Sequence, residues 1–346
     1  MCIERRINVT RNLHTRRQVI GAAAAIAASA AATRIHVHAQ ENTPDANSGE
    51  WTFTDDKGVT VTLLQTPQRV VADVNAAAPL WDFGIRPVAV FGWNATESDG
   101  FGPAGGNVDP EAVEIAGNAT EPIQPEAVAA AQPDLLVTIT WTPDDPSEYW
   151  SIDAAILPQV TPIAPLIAIS ATGMADANTE RFAELAALLG ADLDSPELVA
   201  ARADYDAALT GFPDQAAGKA DLDILFIFVG ADEKIYVANA PDWADLTLYE
   251  SLGLRIVKPD AEAESFWEEL SMEEALKYPA DVILNSTRPG TLTNEQLMAH
   301  PVFGRHPAAQ AGQMGLWNQD FIMSYQGMTA ALNATIEPVV AAGKVT

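Results

Sequence analysis

Short apolar runs alternate with helical segments along most of this chain, and this alternation restricts its fold more than any other feature. The first half contains the runs "RVVADV", "RPVAVFGW" and "DLLVTITW", with the helical segments "AAAPLWDFG" and "QPEAVAAAQ" between them. Runs that are apolar on both faces are typical of parallel strands, which require a crossover connection. The pattern therefore predicts βαβ units and an α/β class of fold.

A purely helical region divides this alternation into two halves. Between Asn178 and Phe212 only helical patterns occur, and Ser195 followed by Pro196 fits an N-cap and a first helical position. The helix of about 16 residues that follows would be about 24 Å long, which is enough to join two lobes. We predict an N-terminal α/β lobe, a connecting helix and a C-terminal α/β lobe at residues 51–193, 194–212 and 213–346.

A segment of the first half is repeated in the second. "QPEAVAAAQPDLL" begins at residue 124 and "SMEEALKYPADVIL" begins at residue 271. In both, a glutamate lies eight residues before an aspartate that opens an apolar run, and the pairs are Glu126 with Asp134 and Glu273 with Asp281. A second match, between "LWDFGIRPV" and "LYESLGLRIV", occurs in the same order. Two matches in one order indicate that the two lobes are related.

The N-terminus predicts export. Arg16 and Arg17 stand before a mildly apolar, alanine-rich run, and "VHA" supplies small residues for cleavage near Ala39. We interpret residues 1–39 as a signal peptide for the twin-arginine route.

The chain left after cleavage would begin with a polar, flexible leader at residues 40–50. The single cysteine, Cys2, precedes the apolar run, so it cannot serve as a lipoprotein cysteine after cleavage. We expect a protein of the periplasm, or of the outer face of the cytoplasmic membrane in a cell with one membrane.

The charge balance excludes several classes of partner. The chain has 19 Lys and Arg against 47 Asp and Glu, a net charge of −28, and this argues against nucleic acid or anionic lipid as the main partner. We expect a monomer.

Enzyme signatures are absent from the sequence. There is no "GxSxG" elbow and no "GxGxxG" after a strand, and the Gly-rich "FGPAGGNVD" at residues 101–109 is interpreted as a loop. A secreted hydrolase or oxidoreductase is the alternative of a different class, and a surface adhesion protein would need more regular repeats. The preferred interpretation is a binding protein and not an enzyme. Reversible binding of the ligand without turnover would distinguish it from a hydrolase or oxidoreductase.

The sequence resembles the substrate-binding proteins of ABC importers for iron siderophores, haem and cobalamin. The matching segments are "DDKGVTVTLLQTPQRVV", "LWDFGIRPVAVFG", "EPIQPEAVAAAQPDLLV", "RFAELAALLG", "WEELSMEEALKYPADVIL" and "HPVFGRHPAAQAGQMGLW". The resemblance implies two Rossmann-like lobes joined by one long helix, with a ligand cleft between the lobes. It also implies that one glutamate per lobe docks to arginines of the membrane permease.

The positions that match these docking glutamates are Glu126 and Glu273. A carboxylate near the start of a helix is stabilised by about 0.3–1 kcal/mol, and an exposed one can pair with arginine. Acidic neighbours leave alternatives open, because Glu121 could replace Glu126 and Glu274 could replace Glu273.

Ligand-binding residues are expected after the apolar runs, since ligands of open α/β sheets bind beyond the carboxyl ends of the strands. Aromatic faces and forked arginine donors suit a large, partly apolar metal chelate. The candidates that follow such runs are Trp93, Trp141, Tyr149, Trp150 and Arg288. The resemblance implies three further ligand contacts, Trp243, Trp267 and Tyr325, which lie in loops that the family uses for its ligands.

The bound ligand is predicted to be a ferric siderophore or similar chelate, with haem or cobalamin as alternatives. We expect no resident cofactor and no protein-ligated metal, because the histidines after residue 40 are only His300 and His306, both in "AHPVFGRHP". Axial haem ligands would have to come from Met174, Met298, Met314 or Tyr325. Because basic residues are scarce, mixed or hydroxamate-type chelates fit better than a tri-catecholate with three negative charges.

Overall fold

The computed structural model describes residues 49–95, 100–260 and 266–346. The predicted signal peptide (1–39) and all but the last two residues of the predicted leader (40–50) lie outside these ranges. None of the helices in the described ranges combines the length and the apolar character needed to cross a membrane.

The described chain alternates strands and helices, as the sequence pattern predicts. The strands are β1 Trp51–Thr54, β2 Thr60–Leu63, β3 Val70–Asp73, β4 Ala89–Phe91, β5 Glu114–Ile115, β6 Leu135–Thr140, β7 Leu166–Ser170, β8 Ile224–Val229, β9 Ile235–Ala238, β10 Trp267–Leu270, β11 Val282–Ser286 and β12 Met314–Trp317. The α-helices are α1 Val74–Asp82, α2 Gly102–Gly105, α3 Pro125–Ala130, α4 Leu157–Val160, α5 Ala175–Leu188, α6 Pro196–Ala217, α7 Ala244–Ser251, α8 Asn294–Ala299, α9 Pro307–Gln310 and α10 Tyr325–Ala341. Short 3-10 helices occur at Ala240–Asp242, Met272–Glu274 and Phe303–Arg305.

The strands form two five-stranded sheets, one in each half of the chain, which confirms the α/β class with two lobes. The first sheet has the order β5-β4-β3-β6-β7 and is parallel throughout. The second has the order β10-β9-β8-β11-β12. In it, β11 pairs in parallel with β8 and β12, whereas β9 pairs antiparallel with β8 and β10. Strands β1 and β2 form a separate hairpin around "DDKG".

The connecting helix is α6, and it begins where the sequence predicts. Ser195 is its N-cap, with Oγ accepting from the amide of Leu198 at 3.4 Å, and Pro196 follows. The helix continues beyond the predicted end at residue 212, because Phe212 and Ala216, one turn apart, both bury their side chains in the core. Its 22 residues span about 33 Å. The lobe boundaries themselves stay a prediction.

The C-terminal helix α10 packs along α6 at the junction of the lobes. Tyr325, its first residue, stacks on Tyr205 with ring centroids 5.7 Å apart, and its hydroxyl accepts from Arg202 Nη1 at 2.7 Å. Ser324, the N-cap of α10, donates to Asp82 Oδ2 of the first lobe at 2.5 Å. The junction is therefore built from two helices.

The two aspartates of the repeated segment have the same structural role. Asp134 accepts from the amides of Gln68 and Arg69, both at 2.8 Å, where the chain enters β3. Asp281 accepts from the amide of Asp223 at 2.8 Å, where the chain enters β8. Since β6 pairs with β3 and β11 pairs with β8, each aspartate ties the start of one strand to the start of its parallel neighbour.

Two local expectations differ from the structure. "SMEEALKY", expected to be a helix, contains only the 3-10 turn Met272–Glu274. Pro279 follows this segment, and a proline disfavours helical backbone in the residue before it. "FGPAGGNVD", expected to be a loop, contains α2, which starts with Pro103 in its first turn.

Candidate ligand-binding cleft

The loop after β6 holds Trp141 and Trp150 at the carboxyl edge of the first sheet. Glu148 Oε2 accepts from Thr140 Oγ1 at 2.5 Å and from Thr142 Oγ1 at 3.1 Å, so the loop folds back on the end of its own strand. The amide of Trp150 donates to Ile139 O at 3.0 Å. These bonds fix the two indoles relative to each other, with ring centroids 6.0 Å apart.

Three further tryptophans of the second lobe form a packed group. Trp243 precedes α7, Trp267 opens β10 and Trp317 ends β12. Their ring centroids lie 4.8 Å apart for Trp243 and Trp267, and 5.2 Å for Trp243 and Trp317. Trp243 Nε1 donates to Phe266 O at 3.0 Å, which anchors the group to the chain just before β10.

Trp141 joins the two groups across the lobes. Its ring lies 5.5 Å from that of Trp243 and 5.6 Å from that of Phe266, both edge to face. Edge-to-face pairs contribute about 0.5–1.5 kcal/mol each beyond area burial. We name the set the inter-lobe aromatic cluster; its members are Trp141, Trp150, Trp243, Phe266, Trp267 and Trp317.

Four of the predicted ligand residues thus meet in one place, namely Trp141, Trp150, Trp243 and Trp267. Trp243 is only 3% exposed, so its ring packs mainly against its neighbours. The indole N–H of Trp141 is buried and has no hydrogen-bond partner among the described residues. Whether these rings contact a ligand stays a prediction.

The other three predicted aromatic residues lie apart from this cluster. Trp93 follows β4 and is 45% exposed. Tyr149 has Lys57 Nζ 4.8 Å above its ring. Tyr325 is buried at the lobe junction, edge to face with Phe83 at 5.0 Å. Their part in ligand binding also stays a prediction.

Arg288, the predicted cationic contact, is already paired with an acid. Its Nε donates to Asp320 Oδ2 at 2.8 Å and its Nη2 to Asp320 Oδ1 at 2.5 Å, a bidentate ion pair. When the Gln319 amide is turned so that its oxygen faces Arg288, it also accepts from Nη1 at 2.7 Å. Asp320 is 6% exposed and lies in the loop after β12. Sequence reasoning missed Asp320, although it follows an apolar run in the same way as the predicted residues.

Asp73 is a second buried acid, at the carboxyl end of β3. Its Oδ1 caps α1 by accepting from the amide of Asn75 at 2.8 Å, whereas Oδ2 has no hydrogen-bond partner among the described residues. A Cβ on Gly92 would lie 2.6 Å from Oδ2 and 3.3 Å from Ser151 Oγ, so only glycine fits there. Burial raises the pKa of Asp73 to about 7, against the lowering effect of the bond from the amide of Asn75.

Asp245 is a third buried acid, in the first turn of α7. Its Oδ2 accepts from Trp317 Nε1 at 2.7 Å, and its Oδ1 has no partner in the described part of the chain. Burial raises the pKa of Asp245 to about 7, against the lowering effect of the Trp317 N–H, and the charge of Asp320 adds to the rise.

A separate cavity of about 310 Å³ lies between α10 and the first lobe. It touches the aromatic cluster only through Trp317, and its walls include Asn107, Gln326 and the small residues of α10. We predict that the ligand binds at the cluster and not in this cavity, because the carboxyl ends of β6, β11 and β12 converge at the cluster.

The candidate docking glutamates are exposed. Glu126 lies in the first turn of α3 and Glu273 in the 3-10 turn, and neither carboxylate has a hydrogen bond or ion pair with another described residue. Glu274, the alternative to Glu273, accepts from the amide and hydroxyl of Ser271, both at 3.0 Å. Glu121, the alternative to Glu126, accepts from Gln124 Nε2 at 3.1 Å. The carboxylates of both alternatives, Glu121 and Glu274, thus already accept hydrogen bonds within the protein.

The two histidines among the described residues, His300 and His306, serve local packing. His306 is buried; its Nδ1 accepts from the amide of Ala308, and its Nε2 lies 2.9 Å from Tyr278 O. His300 Nδ1 accepts from the amides of Val302 and Phe303, each at 3.2 Å. No group of three or more His, Cys, Asp or Glu among the described residues is arranged to hold a metal ion.

Two α/β lobes, one connecting helix and an aromatic site where the lobes meet define a two-lobe binding protein. A family model described as "Periplasmic binding protein" matches residues 90–320. The chain belongs to this family, which confirms the resemblance found in the sequence.

Solved structures support this assignment. The chain is similar to DesE, a ferric-siderophore receptor protein from Streptomyces coelicolor, with 30% identity and a TM-score of 0.79 over 86% of this chain and 100% of that one. It is also similar to the siderophore periplasmic binding protein from the fuscachelin gene cluster of Thermobifida fusca (23% identity, TM-score 0.59, 80% and 97% covered). The catecholate-siderophore binding protein VctP from Vibrio cholerae is similar in fold (19% identity, TM-score 0.59, 85% and 100% covered). A comparison with curated proteins finds no match.

Proposed function

We propose that this protein captures a ferric siderophore between its lobes, outside the cytoplasm, and delivers it to a membrane permease without chemical turnover. The observation that carries the proposal is the inter-lobe aromatic cluster beside Arg288, in a chain 30% identical to a ferric-siderophore receptor. Aromatic faces provide apolar area for a bulky chelate, and the indole N–H of Trp141 is a donor available to it.

Binding requires the ring contacts across the lobes to open. Trp141 meets Trp243 and Phe266 edge to face, so a ligand entering there replaces ring-to-ring contacts with ring-to-ligand contacts. The second lobe carries the other wall, including Arg288, which its bonds to Asp320 hold in one orientation. A fixed arginine loses little freedom on binding, which favours affinity.

The test of capture is quenching of tryptophan fluorescence by ferric hydroxamates, ferric mixed chelates, ferric catecholates, haem and cobalamin. We expect a ferric siderophore to bind reversibly and to be recovered unchanged. Trp141→Ala should weaken binding at least tenfold, while Trp81→Ala, a change at a partly buried tryptophan whose ring lies under Arg86, should leave affinity unchanged. Binding of haem or cobalamin alone, or of no compound in this set, would overturn the proposal.

Delivery would use Glu126 and Glu273, one exposed carboxylate on each lobe. Arginine can pair with both oxygens of a free carboxylate, and neither glutamate has to break an internal bond first. We expect Glu126→Ala with Glu273→Ala to reduce uptake and permease-stimulated ATPase activity at unchanged ligand affinity. The matched control is Glu197→Ala with Glu295→Ala, two exposed glutamates that also lie in first turns of helices. Equal uptake by the two double variants would refute the docking role.

A further inference from the structure

The turn that carries Glu273 holds two adjacent acids in different surroundings. Glu274 Oε2 accepts from the amide and the hydroxyl of Ser271, both at 3.0 Å, and the amide of Glu274 donates to Ser271 O at 3.0 Å. A glutamate that reaches back to the amide of the N-cap residue is the acidic half of a capping box. Glu274 is therefore bonded within the turn, whereas Glu273 is exposed and has no hydrogen bond or ion pair with another described residue.

The segment around Glu273 is anchored on both sides. Met272, directly before it, is 6% exposed and packs in the core of the second sheet. After the turn, the hydroxyl of Tyr278 donates to Glu268 Oε2 on β10 at 2.5 Å, and the carbonyl of Tyr278 lies 2.9 Å from His306 Nε2. Glu273 thus lies on a backbone that is held before and after it.

Lys277 is the basic residue nearest to Glu273 in the sequence, and it is paired with other acids. Its Nζ donates to Glu268 Oε1 and lies 3.2 Å from Asp260 Oδ2. The bond to Glu268 holds the pKa of Lys277 above its ordinary value, so the ammonium stays charged and bound to these acids. Because Lys277 is engaged in this way, it does not take the carboxylate of Glu273.

The first lobe presents its glutamate on a different kind of element. Glu126 is the second residue of α3, an α-helix that begins at Pro125, and proline has the helical φ angle already set. The equivalent segment of the second lobe is only a 3-10 turn. Hydrogen-bond geometry in such a turn is poorer than in an α-helix, so the side-chain bonds of Glu274 matter more for holding it.

We propose that Glu274 is a positioning residue for docking: its hydrogen bonds to Ser271 hold the turn, and Glu273 is the acid of the two that pairs with an arginine of the permease. This inference rests on the proposed delivery role. It requires Glu274 to act as a hydrogen-bond acceptor and not as a charge.

A glutamine can fill the same role in this protein. At the start of α8, Gln296 Oε1 accepts from the amide of Thr293 at 2.8 Å, and Thr293 Oγ1 accepts from the amide of Gln296 at 3.2 Å. Glutamine at position 274 should therefore keep the turn, while alanine should not. The two adjacent acids are then expected to respond oppositely to the same substitution by glutamine.

The experiment measures the ATPase activity of the permease in proteoliposomes, titrated with protein loaded with a linear ferric trihydroxamate. We expect Glu273→Gln and Glu274→Ala each to raise the half-saturating concentration of the loaded protein by about threefold or more. Glu274→Gln should stay within about twofold of the wild type, and Ser271→Ala, which removes one of the two bonds, should give a smaller rise than Glu274→Ala. The affinity for the chelate, measured by tryptophan quenching, should be unchanged in all four variants.

Gln296→Ala is the matched control, because it removes the equivalent acceptor from another helix of the same lobe; it should leave the half-saturating concentration unchanged. An equal rise in Glu274→Gln and Glu274→Ala would show that the charge of Glu274 is used, and would overturn the inference while leaving docking by this turn intact. Wild-type values in both Glu274→Ala and Ser271→Ala, with a rise in Glu273→Gln, would overturn it as well. A wild-type value in Glu273→Gln would instead count against the proposed docking role, and the inference would fall with it.

Discussion

Asp245→Asn should change how the stability of the protein depends on pH. Burial raises the pKa of Asp245 from its ordinary value of 3.8 to about 7 in the folded protein. A group whose pKa is raised by folding contributes stability below its unfolded value, and that contribution is lost as pH rises to the folded value. Wild-type stability should therefore fall between pH 4 and pH 7 on account of this residue, and Asp73 should act in the same direction.

The size of the effect follows from the two pKa values. One pH unit corresponds to about 1.4 kcal/mol while the unfolded carboxyl is ionised and the folded one is protonated. From pH 5 to pH 7 the contribution of Asp245 is therefore at most about 2.7 kcal/mol. The amide introduced by Asp245→Asn carries no charge at any pH. Its NH₂ group would occupy the position of Oδ1, which has no hydrogen-bond partner among the described residues, and a buried donor without an acceptor lowers the unfolding free energy by about 1–3 kcal/mol at every pH. The test is therefore how steeply the unfolding free energy changes with pH, and not its value at any one pH.

The assay is urea unfolding followed by far-UV circular dichroism at pH 5, 6, 7 and 8. We expect the loss of unfolding free energy between pH 5 and pH 8 to be smaller by about 2 kcal/mol in Asp245→Asn than in the wild type. Asp214→Asn, at an exposed position, should keep the wild-type slope. If Asp245→Asn keeps it too, Asp245 is ionised in the folded protein at low pH and the reasoning from its burial is wrong.

Three further changes test other parts of the structure. Gly92→Ala should lower the unfolding free energy by about 2 kcal/mol or more in urea titrations, since the new Cβ would lie 2.6 Å from Asp73 Oδ2 in a backbone with φ of +126°. Ser195→Ala should cost about 1 kcal/mol in the same titration through loss of the N-cap of α6, and a Thr replacement should restore most of it. Glu148→Ala removes the acceptor that holds the Trp141 loop, so it should weaken the near-UV circular dichroism of the Trp141 and Trp150 pair and raise the Kd for the ferric chelate several-fold, with little change in melting temperature. Glu148→Gln should recover part of the near-UV signal and part of the affinity. Unchanged near-UV spectra in Glu148→Ala would refute the role of this loop.

Local sequence signals predict much of the framework, because they act over a few residues. Ser195 and Pro196 mark the start of α6 through capping chemistry, which needs no knowledge of the rest of the fold. The aspartates of the repeat, Asp134 and Asp281, mark equivalent strand starts in the two lobes. The end of α6 is predicted less accurately, since burial of Phe212 and Ala216 outweighs the breaking tendency of Pro213.

The arrangement of the site depends on contacts that sequence spacing does not reveal. Trp317 and Asp245 are 72 residues apart, and Arg288 and Asp320 are 32 apart. Tryptophans after apolar runs could be identified as candidates, but burial of Trp243 is decided by how α7 packs. The buried acids escape sequence reasoning because a carboxylate after a strand or in the first turn of a helix is usually solvated, and only the packing of the folded chain buries Asp73, Asp245 and Asp320.

The aspartates at the starts of β6 and β11 bear on how the protein could signal its occupancy. Each strand begins at its anchored aspartate and ends at the cleft, β6 at Thr140 beside Trp141 and β11 at Ser286, two residues before Arg288. Five residue steps of β6 correspond to about 17 Å of extended chain, with a central strand's hydrogen bonds on both sides. Each strand should therefore move as a rigid unit, so that a displacement of its cleft end is accompanied by a displacement of its other end. Movement of the cleft ends of β6 and β11 toward each other on ligand binding would change the separation of their outer ends. Under the proposed docking role, the distance between Glu126 and Glu273 would then report occupancy to the permease without any contact between permease and ligand.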